Sequence, residues 1–150
     1  MKTKKAVLFF DLKGWYSSQE GKCAKEIAEG LNTFYGEIID LVDQLKGRVV
    51  KFMGDAGLII FEKTSDAVDF AKVIASKHEA NIGIESGEVV EGVFGKDEAT
   101  WFDVFGPAVN EAGKNMGKAR KSGKGIVAGP NAWEELSQEE RKGLDRSADL

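Results

Sequence analysis

The sequence predicts an α+β fold: a ferredoxin-like βαββαβ core with an added hairpin arm and terminal helices. Three observations predict it. A continuous apolar run, Ala6 to Phe10, stops abruptly at Asp11, as a short strand buried on both faces would. Ile27, Leu31, Phe34, Ile38, Leu41 and Leu45 then recur at helical spacing, which gives one apolar helix face. Two β-rich arms next flank Gly54-Asp55-Ala56-Gly57 within residues 48–62, the pattern of a hairpin.

The remaining elements follow in order. Gly14 permits a tight turn into the long helical stretch, and Gly47 reads as its C-terminal stop. Thr64 or Ser65 is placed to cap a second helix, with Asp66 and Asp69 early and Lys72 and Lys77 late, as the helix dipole favours. Ala80 to Glu85 and Glu88 to Val93 read as two strands around Ser86-Gly87, and Trp101 to Phe105 as another. Pro107 suits the first turn of a helix running to about Lys121. Gly125 to Ala128 reads as a short strand, and the tail to Gly143 as mostly helical, with a capping box from Ser137 to Glu140.

Composition narrows the chemistry. The 150 residues are 42% hydrophobic, enough to build one core, so a single domain over residues 1–150 is expected. Acidic residues outnumber basic ones 25 to 21, for a net charge of −4, which argues against nucleic acid as a partner. Behind the basic stretch Met1 to Lys5 stand only five apolar residues before Asp11. That run is too short for a secretory signal or a membrane span, so a cytoplasmic location is expected. The single cysteine, Cys23, excludes an internal disulfide and a CxxC metal site, and the single histidine, His78, excludes a three-histidine zinc site. Carboxylates, amides and lysines are left to carry any chemistry.

Two carboxylates stand out. Asp11 ends the first strand and Asp55 follows the second. A strand, a helix and a second strand of one sheet make a right-handed unit with parallel strands, so neighbouring strands would bring both aspartates to one sheet edge. Between them Gly14 opens a helix whose backbone N–H groups could cradle phosphate. Carboxylates beside a phosphate cradle suit Mg²⁺ bound to a triphosphate. Each aspartate taken alone is equally an ordinary turn residue.

Four segments together resemble the catalytic domain of class III adenylyl and guanylyl cyclases. FFDLKGW resembles the family's opening metal motif, and GRVVKFMGDAGLIIF its aspartate-bearing hairpin. IGIESGEVVEGVFG and FDVFGPAVNEAG resemble its dimerisation arm and the following helix. The resemblance covers roughly residues 6 to 129. It implies that Asp11 and Asp55 bind two Mg²⁺ or Mn²⁺ ions per active site, and that Leu12, Lys13, Gly14 and Trp15 form the phosphate-contacting turn. It implies that Lys51 and Asp103 select the purine, in the combination that suits adenine rather than guanine. It also implies that Asn110 orients the ribose across a homodimer interface, so that each site is composite. The implied activity is conversion of ATP to 3′,5′-cyclic AMP and pyrophosphate.

The sequence departs from the family at two points. Four residues beyond Asn110 the family usually places a catalytic arginine, and here stands Lys114, which keeps the charge but not the planar fork. Arg120 follows on the same expected helix and is the candidate substitute for that arginine, although six residues put it on another face. No segment matches the family's final hairpin with its triphosphate-binding lysine. A catalytically weak or inactive domain that binds nucleotide or a partner subunit is therefore the alternative reading. A diguanylate synthase or nucleotide hydrolase is a further one, although Met53-Gly54-Asp55-Ala56-Gly57 lacks the paired-glycine acidic signature of the former. Trp15, Trp101, Phe102 and Phe105 are open to either core or interface roles.

Overall fold

The computed structural model describes residues 2–150; Met1, the first residue of the basic stretch, lies outside the described residues. The fold is mixed α+β. In chain order come β1 (Lys2–Leu12), a one-turn helix α1 (Trp15–Ser18), α2 (Ala24–Gln44), β2 (Gly47–Met53), β3 (Ala56–Phe61) and α3 (Thr64–Lys77). Then follow β4 (Ala80–Lys96), β5 (Ala99–Phe105), α4 (Pro107–Ser122), β6 (Ile126–Ala128), α5 (Pro130–Glu135), β7 (Asp145–Arg146) and a 3-10 turn, Ser147–Asp149. The strands form one sheet in the order β2-β3-β1-β4-β6-β7, with β5 paired to β4.

β1 is central because its side chains alternate between two buried faces. Ala6, Leu8 and Phe10 pack with Phe34, Ile38 and Val42 of α2 and with Phe70 and Ile74 of α3. Val7 packs on the other face with Ala108, Val109 and Ala112 of α4, and half-buried Phe9 joins them there. This double burial accounts for the unbroken apolar run in the sequence. Helix α4 lies tightly on β4: a methyl group at Gly83 would stand 2.2 Å from the Ala112 carbonyl oxygen and the Met116 nitrogen.

Several expectations need correction. The first two strands of the core run parallel but are not neighbours, because β3 lies between them and pairs antiparallel with both. The segment from Ala80 is one strand of 17 residues rather than two; Ser86 and Gly87 continue the pairing with Ala6 and Lys5. Its outer half leaves β1 and forms the arm with β5, from Val90 opposite Phe105 to Lys96 opposite Ala99. The stretch after Gly14 is a single turn followed by a separate long helix, not one helix. Lys46, with φ 58°, takes the left-handed position after α2. Gly47 instead serves the close approach of the Phe61 ring, whose nearest atom would lie 2.6 Å from an added methyl.

Thr64 does not cap α3 but donates its hydroxyl to Glu135 Oε1 at 2.6 Å. In the tail, Ser137 and Glu140 do bond reciprocally, at 2.8 and 3.1 Å. They close only a turn, after which β7 pairs in parallel with β6. His78 ends α3 and ties it to α2, with Nε2 3.1 Å from Glu37 Oε1. Cys23 is exposed immediately before α2. No helix among the described residues is long and apolar enough to cross a membrane.

Gly83→Ala should be among the most damaging single-methyl changes in the sheet, since backbone rather than a flexible side chain blocks it. We expect a loss of about 3 kcal/mol, at the upper end of overpacking costs, read as a lower urea midpoint with an unchanged m-value.

Candidate active site

The register of β1 with its two neighbours assembles the site. Phe10 lies opposite Gly57, so the turn residue Asp55 arrives beside Leu12, whose N–H donates to Asp55 Oδ2 at 3.1 Å. On the other side Asp11 lies directly opposite Asn81. Asn81 Nδ2 donates to Asp11 Oδ1 at 2.9 Å. Asp11 and Asp55 therefore converge, but by antiparallel pairing through β3 rather than as the ends of adjacent parallel strands.

The carboxylates open into a cleft of about 780 Å³ lined by the Leu12–Ser17 segment, Met53, Asn81, Met116 and Arg120 among others. Leu12, Lys13, Gly14 and Trp15 form its rim, with Gly14 at φ 68°. The guanidinium of Arg120, from the last turn of α4, pairs with Asp11 Oδ2. Tyr35 of α2 holds the hairpin turn from outside. Its hydroxyl donates to the Gly54 carbonyl at 2.6 Å, and its ring stacks on Phe52 at 4.1 Å. Burial first, and the Asp55 charge second, hold the Tyr35 phenol above its ordinary value, which keeps it a donor.

The donor set fits a divalent ion of the magnesium type. Two carboxylates face one cleft, and no group of three His, Cys, Asp or Glu side chains is placed to hold a metal among the described residues. Such a sparse set suits an ion that keeps water and substrate oxygens as its other ligands. The Oδ1 atom of Asn81, a residue only 3% exposed, has no hydrogen-bond partner. An orphan acceptor of this kind costs about 1–3 kcal/mol, and the water shell of a bound cation is a ready source of donors for it.

The other sequence-derived residues lie outside this cleft. Lys51 and Asp103 do come together: Lys51 Nζ donates to Asp103 Oδ2 at 3.0 Å. A bulge in β2 between Val49 and Lys51 shifts the register at this point. Trp101 Nε1 donates to the same oxygen at 2.9 Å, and the Val104 N–H donates to Oδ1 at 2.8 Å. Burial raises the Asp103 pKa, but these donors and the lysine charge outweigh it and leave the group below its ordinary value. Arg48 lies over the Phe102 ring at 3.3 Å, joining β2 to the arm a second time. Asn110 is exposed on the first turn of α4, and Lys114 is exposed and paired with Glu111 at 3.3 Å.

Of the aromatics, Trp101 and Phe105 are exposed on the arm, Phe102 is half-buried, and Trp15 packs edge-on against Tyr16 at 5.1 Å. Asn81 and Tyr35 were not singled out in the sequence. A polar residue inside the apolar stretch Ala80–Ile84 was the available signal for Asn81. Nothing comparable marked Tyr35.

No sequence-family model matches the chain. An uncharacterized protein of Mycobacterium tuberculosis is 31% identical across 91% of this chain and 28% of its own length. The chain thus spans little more than a quarter of that relative. A bacterial light-regulated adenylyl cyclase superposes with a TM-score of 0.76 over 92% of this chain and 81% of its own, at 18% identity. The guanylyl cyclase Cya2 superposes with a TM-score of 0.62 over 76% and 69%, at 26% identity. By its fold the chain is a cyclase homology domain, the catalytic-domain architecture of the class III adenylyl and guanylyl cyclases.

Asp103 supplies a pH test of the arm. Its folded pKa is lowered, so its contribution is present above the ordinary value of 3.8 and is lost as pH falls through the folded value beneath it. Asp103→Asn should cost about 2 kcal/mol at neutral pH. The gap between variant and wild-type melting temperatures should close below pH 4 and stay constant above pH 5.

Proposed function

We propose that this domain is an adenylate cyclase that converts ATP to 3′,5′-cyclic AMP and pyrophosphate at the interface of a homodimer. The observation that carries the reading is the convergence of Asp11 and Asp55 on one cleft rimmed by the Leu12–Trp15 loop. Asp11 and Asp55 would hold the divalent ions. When bound, two Mg²⁺ or Mn²⁺ ions supply positive charge to the attacking 3′-hydroxyl and to the leaving pyrophosphate.

The chain's own residues do the rest. Asn81 fixes the rotamer of Asp11, and the Leu12 N–H with Tyr35 fixes the turn that carries Asp55. In the rim the Leu12 and Lys13 N–H groups are already given to Asp55 Oδ2 and the Glu79 carbonyl, which leaves the N–H groups of Gly14 and Trp15 for phosphate oxygens. Lys51 and Asp103 read adenine: the ammonium donates to N1 and the carboxylate accepts from the exocyclic amine. Asp103 has already accepted three hydrogen bonds, and an ionised carboxylate offers about four acceptor positions, so one remains for the base. Asn110 and Lys114 are exposed and outside the cleft, as residues acting on a second copy's nucleotide should be. The exposed Val93, Trp101 and Phe105 give the arm an apolar surface suited to that second copy.

A domain that binds nucleotide without appreciable turnover is the second reading. Lys114 favours it, because an ammonium lacks the bidentate fork that the family uses on the reacting phosphate.

Purified protein with Mn-ATP should release cyclic AMP and pyrophosphate, and Asp55→Asn should lower that rate at least a hundredfold while leaving the circular dichroism unchanged. Binding of Mn-ATP with no product at any protein concentration would sink the catalytic reading in favour of the second. Replacing Lys51 by Glu and Asp103 by Ser together should shift preference from ATP toward GTP. An unmoved preference would show the purine pocket to lie elsewhere.

A further inference from the structure

Both oxygens of Asp11 are engaged, but by partners of different character. Asn81 is buried and holds Oδ1 from the neighbouring strand. Arg120 holds Oδ2 from the last turn of α4, with 55% of its side chain still exposed. An ion pair so open to water contributes about 0–1 kcal/mol, too little to serve the fold. The carboxylate is thus fixed in place, and the guanidinium beside it is free to leave at small cost.

A divalent ion bound by Asp11 and Asp55 would take the oxygen that Arg120 holds. Two cations cannot share it without strong repulsion at such short range. The displaced guanidinium would remain in the cleft, tethered at the end of α4, since Arg120 lines the same cleft as the Leu12–Trp15 rim. Among the described residues lining this cleft the cationic side chains are Lys13 and Arg120, and a guanidinium fork pairs two phosphate oxygens at once.

We infer that Arg120 is a displaceable cation. It neutralises Asp11 until a divalent ion arrives, then turns to the polyphosphate that enters with the ion, on the same subunit as the metal carboxylates. This deepens the metal–triphosphate reading and rests on it. Lys114 lies 70% exposed on the outer face of the same helix and cannot perform this service within one subunit.

The test is calorimetric titration of the full chain with MnCl₂ alone, then with a non-hydrolysable ATP analogue at saturating Mn²⁺. The chains compared are wild type, Arg120→Gln, Arg120→Ala and Asp55→Asn. Removing the competing guanidinium should tighten Mn²⁺ binding about three- to fivefold, the size of a half-exposed ion pair. The same variants should bind the Mn-nucleotide about tenfold more weakly, the size of a lost charged hydrogen bond. This opposite movement of the two affinities is the signature.

If Asp55→Asn abolishes Mn²⁺ binding but neither Arg120 variant tightens it, the Arg120 inference is overturned and the metal site stands. The inference is equally overturned if metal and nucleotide affinities move in the same direction. If wild type and both Arg120 variants fail to bind Mn²⁺ at all, the metal reading itself falls, and the inference falls with it.

Discussion

The antiparallel register of β1 is the constraint on which this molecule depends. One strand pairs on one edge with β3 and on the other with β4 over nearly its full length. That double pairing brings Asp55 and Asn81 to opposite sides of the residues that end β1. Side chains on a strand alternate with a period of two, so a slip of one residue would turn Asp11 from the α4 face into the apolar layer beneath α2 and α3. It would also move Leu8 and Phe10 out of the layer beneath α2 and α3 and onto the α4 face, where they have no fitted partners. The energy that holds the core in register therefore also aims the carboxylate.

Burial on both faces has a consequence for the site. Strands covered by helices on either side have no water with which to solvate a polar residue, so each polar group near Asp11 has to be matched. Asn81 is matched on one atom and not on the other. That imbalance is tolerated beside a cleft where water and ions have access, and it would be costly a few residues deeper in the same strand. Tyr35 supports the other aspartate from outside the sheet, through a backbone carbonyl, and adds no polar atom to the cleft itself.

Much of this was legible in the residues. The apolar run of β1, the helical spacing of α2 and the turn at Gly54-Asp55 each carry a local signal, and all three formed. The convergence of Asp11 and Asp55 was anticipated on the wrong topology. Sequence order makes the strands flanking a helix look adjacent, whereas the hairpin strand β3 inserts between them because it pairs with both. The continuity of β4 was hidden for a similar reason: Ser86-Gly87 has turn composition, but those small residues lie where the methyl of Ala108 packs 3.4 Å from the position a side chain would take at Gly87. The polar clamps, Tyr35 on Gly54 and Asn81 on Asp11, depend on side chains far apart in the chain, and no local pattern encodes such meetings.

The helix α4 shows how one element can serve two sites of opposite character. Six residues at about 100° per residue put Arg120 roughly 120° around the axis from Lys114. One face therefore looks into the cleft of its own chain while another looks outward. On the proposed reading this geometry divides the positive charge by origin: Arg120 acts beside the carboxylates of its own subunit, and Lys114 reaches the nucleotide held by the second copy. The cleft walls of one chain carry Asp11 and Asp55 against Lys13 and Arg120, which is formally neutral. A polyphosphate entering such a cleft gains little from one subunit's side chains alone. On that reading divalent ions and the second copy's lysine supply the missing charge, which would couple tight nucleotide binding to both metal occupancy and dimer formation.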